Sequence, residues 1–81
     1  MVKRIYIISI EVFEAYYDDT YDYVEYIKVH NEIMAFDNVN DIEYIKSYFK
    51  DTYRYHCINF EVCEIYTNKD IVNGHSYAWE W

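Results

Sequence analysis

The residues best equipped for chemistry in this 81-residue sequence are two cysteines, three histidines and fifteen carboxylates. Their spacing argues against most of what those types can do. His56 and Cys57 are neighbours, as are His75 and Ser76. Consecutive side chains of a strand point to opposite faces, so neither pair sets a base beside a nucleophile. Cys57 and Cys63 lie six apart in a strand-like segment. They share a face but sit roughly 20 Å apart along it, whereas a disulfide needs Cα atoms within about 7 Å. They read as free thiols of a reducing cytosol, with a disulfide between two copies as the alternative. Zinc would want a Cys-x-x-Cys pair, and the histidines are scattered. His30 and Glu32 share a strand face, but two ligands do not make a metal site, and that face reads as solvated. Glu11 and Glu25 could oppose each other across a first hairpin, as acid–base carboxylates do. A chain of this size leaves little room for a cleft around them. The single glycine, Gly74, excludes a glycine-rich phosphate loop. No enzymatic activity, metal or cofactor is expected.

What remains is a surface. Residues 11–26 hold six acids (Glu11, Glu14, Asp18, Asp19, Asp22, Glu25), five tyrosines (Tyr16, Tyr17, Tyr21, Tyr23, Tyr26) and no Lys or Arg. Like charges packed this closely repel one another. An acidic turn that only keeps the chain soluble would tolerate that repulsion. A binding surface would use it. Tyrosine gives stiff contact area with a polar tip, and its ring face attracts Arg and Lys. Carboxylates pair bidentately with Arg. Surfaces that grip nucleic acid are rich in those cations. An acidic, tyrosine-rich patch is their complement, with carboxylates in place of phosphates and rings in place of stacked bases. The charge mimics would be Glu14, Asp18, Asp19, Asp22 and Glu25. The anchors would be Tyr16, Tyr17, Tyr21 and Tyr23.

The elements that must position this patch are legible from periodicity. Residues 2–13 are β-branched and aromatic, with Tyr6, Ile8, Ile10 and Val12 on one face. Asp18-Asp19-Thr20 is a turn. Residues 23–36 resume a strand, with Ile27, Val29, Ile33 and Ala35 on one face and Tyr26, Lys28, His30, Glu32 and Met34 on the other. Asn31 on the apolar face suggests a bulge or another irregularity there. Asn40 is the expected N-cap of a helix, with Glu43 completing a capping box. Ile42, Ile45 and Phe49 form its apolar stripe, and it should end near Asp51 or Thr52. Residues 55–66 form a third strand with Ile58, Phe60 and Val62 on one face. A turn at 67–70 follows. Asn73-Gly74 signals a terminal hairpin, and His75, Tyr77, Trp79 and Trp81 alternate as an aromatic fourth strand. The expectation is one α+β domain over residues 1–81, in the order ββαββ. It would be an antiparallel sheet of three to four strands with one helix packed on one face.

Composition bounds the rest. Fifteen acids against seven Lys+Arg give a net charge of −8, which makes direct binding to a nucleic-acid backbone improbable. A hydrophobic fraction of 53% argues against disorder. No apolar run reaches the ~18 residues of a membrane span, and none reads as a secretory signal. With this composition and the Glu11–Tyr26 run, the chain resembles the small anti-defence proteins of phages and mobile elements. These include anti-CRISPR proteins and other nucleic-acid mimics, such as uracil-DNA glycosylase inhibitors. The resemblance implies a non-enzymatic, stoichiometric inhibitor acting in the cytoplasm, that of the host cell if the chain is phage-encoded. Its partner would be a host nucleic-acid-binding protein or nuclease complex with a basic surface, a CRISPR effector first among them. The alternative is a homodimeric interaction module built on the aromatic C-terminal strand.

Overall fold

The structure, a computed structural model, describes residues 2–68. It contains β1 (Lys3–Asp18), β2 (Tyr23–Phe36), α1 (Val39–Thr52) and β3 (Cys57–Thr67). The sheet order is β2-β1-β3, and β1 pairs antiparallel with both neighbours. The order among the described residues is thus ββαβ rather than ββαββ. The segment expected to form the fourth strand lies outside them.

The central strand is the one whose residues are apolar on both faces at its start, as a doubly flanked strand requires. Ile8, Ile10 and Val12 point toward the helix and are fully buried with Phe36, Ile42 and Phe49. Tyr6, Met34, Ile45, Ile58 and Phe60 pack around this cluster. The Ile42/Ile45/Phe49 stripe therefore does meet the sheet, on the face of Tyr6, Ile8, Ile10 and Val12.

The helix starts two residues earlier than the capping pattern at Asn40 suggests. Asn38 has extended backbone (φ −130°, ψ 127°), and its side chain accepts from the Asn40 amide at 2.8 Å. Both asparagines have the right chemistry. Asn38 wins because its carbonyl already accepts from Asp41 N–H at 3.1 Å. Glu43 faces Lys46 at 3.8 Å instead of closing a capping box. At the other end the Tyr53 amide donates to the Phe49 carbonyl. That leaves Lys50 in the last turn, where a cation suits the helix dipole.

A second correction concerns His30. It is half-buried, not on a solvated face. Its ring lies 5.8 Å from Phe49 and 5.9 Å from Tyr53, and Phe49 and Tyr53 stack at 15°. Strand alternation gave the correct face for His30 and Glu32, but that face carries the helix.

The third correction sets up the functional surface. The β1–β2 register shifts between Val12 and Phe13: Val12 pairs with His30, but Phe13 pairs with Lys28, so Val29 is the extra residue. Asn31 had marked the irregularity two positions too late. A β-bulge bends its strand and reverses the facing of everything beyond it. Ile27 therefore leaves the face of Ile33 and Ala35, and Lys28 and Tyr26 leave the face of His30 and Met34. The proposed Glu11–Glu25 pair is also lost, since Glu11 pairs with Asn31 and Glu25 with Tyr16.

Candidate functional site

β3 stops pairing with β1 at Phe13, opposite Cys57. Beyond that point β1 and β2 continue alone from the Glu14↔Ile27 pair to the Asp18↔Tyr23 pair. Five residues at about 3.4 Å each make a two-stranded ribbon of roughly 17 Å before the turn. The molecule is correspondingly long, 59 × 25 × 16 Å, with a radius of gyration of 15.6 Å. A compact chain of this length would have about 12 Å.

The ribbon has two different faces, and the bulge creates them. On the helix side lie Glu14, Tyr16 and Asp18, with their partners Ile27, Glu25 and Tyr23. On the opposite side lie Ala15, Tyr17, Val24 and Tyr26, continuing from Phe13 and Lys28. One face is acidic with tyrosines; the other is apolar and aromatic. Of the nine residues singled out in the sequence, Glu14, Tyr16, Asp18, Tyr23 and Glu25 share the first face. Tyr17 is on the second. Asp19, Tyr21 and Asp22 form the connecting turn. Tyr17 and Tyr21 are among the most open, at 63% and 74% exposure. Tyr26 and Val24 also belong to the apolar face; the sequence assigns neither a contact role, and their facing is set by the bulge.

Three of the acids are tied into the ribbon itself. The Asp18 carboxylate accepts from the Thr20 and Tyr21 amides at 2.9 and 3.4 Å, an Asx turn that closes the tip. Asp22 adopts φ 54°, a left-handed conformation that Asp tolerates better than most residues. It also accepts the Tyr17 hydroxyl. Tyr16 donates its hydroxyl to Glu14 at 2.8 Å. Donation to a carboxylate pushes both phenols above their ordinary value; for Tyr16 the charge of Glu14 adds to the effect. Asp19 and Glu25 are left to solvent without such duties.

Glu11, the sixth acid of the run, sits at the ribbon's base. Lys28 Nζ meets its Oε2 at 2.6 Å, and Asn59 Nδ2 donates to Oε1 at 3.4 Å. These bonds, Lys28 first and Asn59 second, hold the Glu11 carboxyl below its ordinary value. The uncompensated acidic stretch is thus Glu14–Tyr26.

Cys57 and Cys63 are free thiols, both exposed. Among the described residues, no three His, Cys, Asp or Glu side chains come together as metal ligands. No helix among them is long and apolar enough to cross a membrane.

Among the described residues, fold and surface define a small α+β protein: a three-stranded antiparallel sheet, one covering helix and a projecting two-faced ribbon. No protein-family model, curated protein or solved structure matches the chain.

Proposed function

We propose that the chain is a non-enzymatic inhibitor that occupies a basic, nucleic-acid-binding surface of a host defence protein, a CRISPR effector being the first candidate. The projecting ribbon carries this reading. Glu14, Asp18 and Glu25 share a face with Tyr16 and Tyr23, and no Lys or Arg lies between Glu11 and Tyr26. A ribbon standing clear of its own sheet can enter a groove that a flat face cannot. Long-range attraction between this stretch and a basic channel would speed encounter and make it salt-sensitive.

The turn's own architecture dictates the test. Asp18 and Asp22 hold the tip together, so substituting them would confuse folding with binding. Asp19→Lys with Glu25→Lys changes the charge by four and removes neither the Asx turn nor a Tyr–carboxylate bond. Binding to a basic effector subunit is then measured across a salt series. The native chain should weaken steeply with salt, and the double variant should bind at least about tenfold more weakly, with a shallower salt slope. Equal affinity for both proteins would sink the charge-mimic reading.

The second reading, self-association, draws support from the ribbon's apolar face, Phe13, Ala15, Tyr17, Val24 and Tyr26. Sedimentation at high concentration separates the two: a monomer removes the dimer.

A further inference from the structure

Beyond Phe13 the central strand loses one of its two neighbours. β3 pairs with β1 only as far as Phe13↔Cys57, whereas β2 continues to Asp18↔Tyr23. Among the described residues, no strand therefore lies beside Glu14–Asp18 on the β3 side. Alternate residues of that stretch point their N–H and C=O groups outward, where a ladder partner would sit. Sheets guard such edges with Lys, Pro or a bulge. This edge has none of them: no Lys, Arg or Pro falls between Glu11 and Tyr26, and the bulge lies at Val29 in β2.

Length and charge decide what can fill the position. Residues 69–81 follow Asn68 at the Lys3↔Thr67 end of the sheet. Asp18 lies fifteen residues along β1 from that end, roughly 50 Å at about 3.4 Å per residue. Thirteen residues span at most about 47 Å fully extended, so residues 69–81 cannot run the length of the edge. The same edge of a second copy fails on charge. Antiparallel pairing of two such edges about Tyr16 sets Glu14 against Asp18 on both sides, and like charges directly opposite destabilise a sheet. Reversing the charge of the incoming strand turns that repulsion into attraction.

We propose that the open edge of β1 at Glu14–Asp18 is a strand-addition site for an extended segment of a basic partner, one that alternates Arg or Lys with apolar residues. The inference rests on the basic-partner reading above and sharpens it, since the partner then supplies a strand as well as a charged surface. A strand added here lies about 4.8 Å from β1, with its side chains alternating between the two faces. Those on the helix side flank Glu14, Tyr16 and Asp18; those on the other flank Ala15 and Tyr17. The first row offers cations two carboxylates and a ring face. The second offers an exposed apolar strip. Backbone bonds along the edge supply affinity, and the alternation supplies specificity.

The test is an amide chemical-shift and exchange titration of the full chain with the peptide Arg-Val-Arg-Val-Arg-Val-Arg, capped at both ends. A block peptide of the same composition, Arg-Arg-Val-Val-Val-Arg-Arg, and the acidic Glu-Val-Glu-Val-Glu-Val-Glu are titrated in parallel. The alternating basic peptide should shift the amides of Glu14–Asp18 and slow exchange at those facing outward, leaving Ile8 and Ile10 unchanged. The block peptide should bind at least about tenfold more weakly. Equal binding of the block peptide would overturn strand addition while leaving the charge-mimic reading standing. Equal binding of the acidic peptide would overturn the basic partner, and the reading it rests on with it. Shifts confined to Ile58–Val62 on the outer edge of β3, or no shift at about 5 mM peptide, would overturn the site. Concentration-dependent shifts at Glu14–Asp18 in the chain alone would give the edge to a second copy and overturn the peptide occupant.

Discussion

At the residue scale, the tyrosines of the ribbon are not interchangeable. Tyr16 and Tyr17 spend their hydroxyl protons on Glu14 and Asp22, while Tyr21 and Tyr23 lie ring to ring at 6.3 Å. A hydroxyl already donating to a carboxylate holds its ring in one orientation and lowers the entropy a partner must remove. Titration should expose the difference. A folded-state value raised above the ordinary phenol value of about 10 means that the interaction stabilises fully below that pH. It is then lost as pH rises through the higher folded value. Site-resolved NMR titration of Tyr16 should therefore find its midpoint above the ordinary value. Glu14→Gln should bring it back down, because the amide removes the charge while leaving an acceptor. A Tyr16 midpoint that ignores the substitution would separate the two side chains in solution. In the binding proposed above, Glu14 would act partly through Tyr16, whereas Asp19 and Glu25 would present their charge directly.

At the element scale, the helix cap offers a clean comparison of two asparagines. Asn38 accepts the first free amide of α1, and Asn40 is exposed inside the first turn. Asn38→Ala should cost about 1 kcal/mol in urea unfolding, as lost N-caps do. Asn40→Ala should be neutral or stabilising by a few tenths, since Ala is the better helix former. Equal effects would mean that the helix begins elsewhere. The same pair shows where sequence reading reaches its limit. Periodicity placed β2 at Tyr23–Phe36 and the helix end near Asp51 or Thr52, because alternation and the Ile42/Phe49 stripe are set by burial. The choice between two caps is set by backbone geometry that the side chains do not announce. The bulge is harder still. Val29 has nothing in its type to mark it as the extra residue, and Asn31 drew attention because it is polar on an apolar face. That one unpaired residue decides which side of the ribbon Tyr26, Glu25 and Tyr23 occupy. The acidic-tyrosine segment was thus readable as a composition, but its two faces were not. His30 was missed for a related reason: the helix covers its face only once α1 crosses from β2 toward β3.

At the scale of the whole molecule, stability and charge are distributed in opposite directions. The core gathers under the helix, where Ile8, Ile10 and Val12 are fully buried, and the acidic stretch stands beyond the last β3 pairing. A two-stranded hairpin without a covering face is marginal by itself in water. The ribbon therefore depends on its own tip bonds and on the Lys28–Glu11–Asn59 cluster that ties its base to the edge of β3. Hydrogen exchange should resolve this gradient. Amides of Ile8–Val12 should exchange only through global unfolding, and the amides hydrogen-bonded across the ribbon between Glu14 and Tyr26 through local opening. A protection difference of roughly two orders of magnitude is expected between the groups. Lys28→Ala should widen it by loosening the base without touching the core. Uniform protection along β1 would show instead that the ribbon is held as firmly as the sheet. The gradient bears directly on the proposed function. If the ribbon opens locally, a basic partner must bind the closed form and will itself raise ribbon protection on binding. Adding the partner should then slow exchange at the cross-bonded ribbon amides while leaving Ile8 and Ile10 unchanged, which locates the interface independently of any charge substitution.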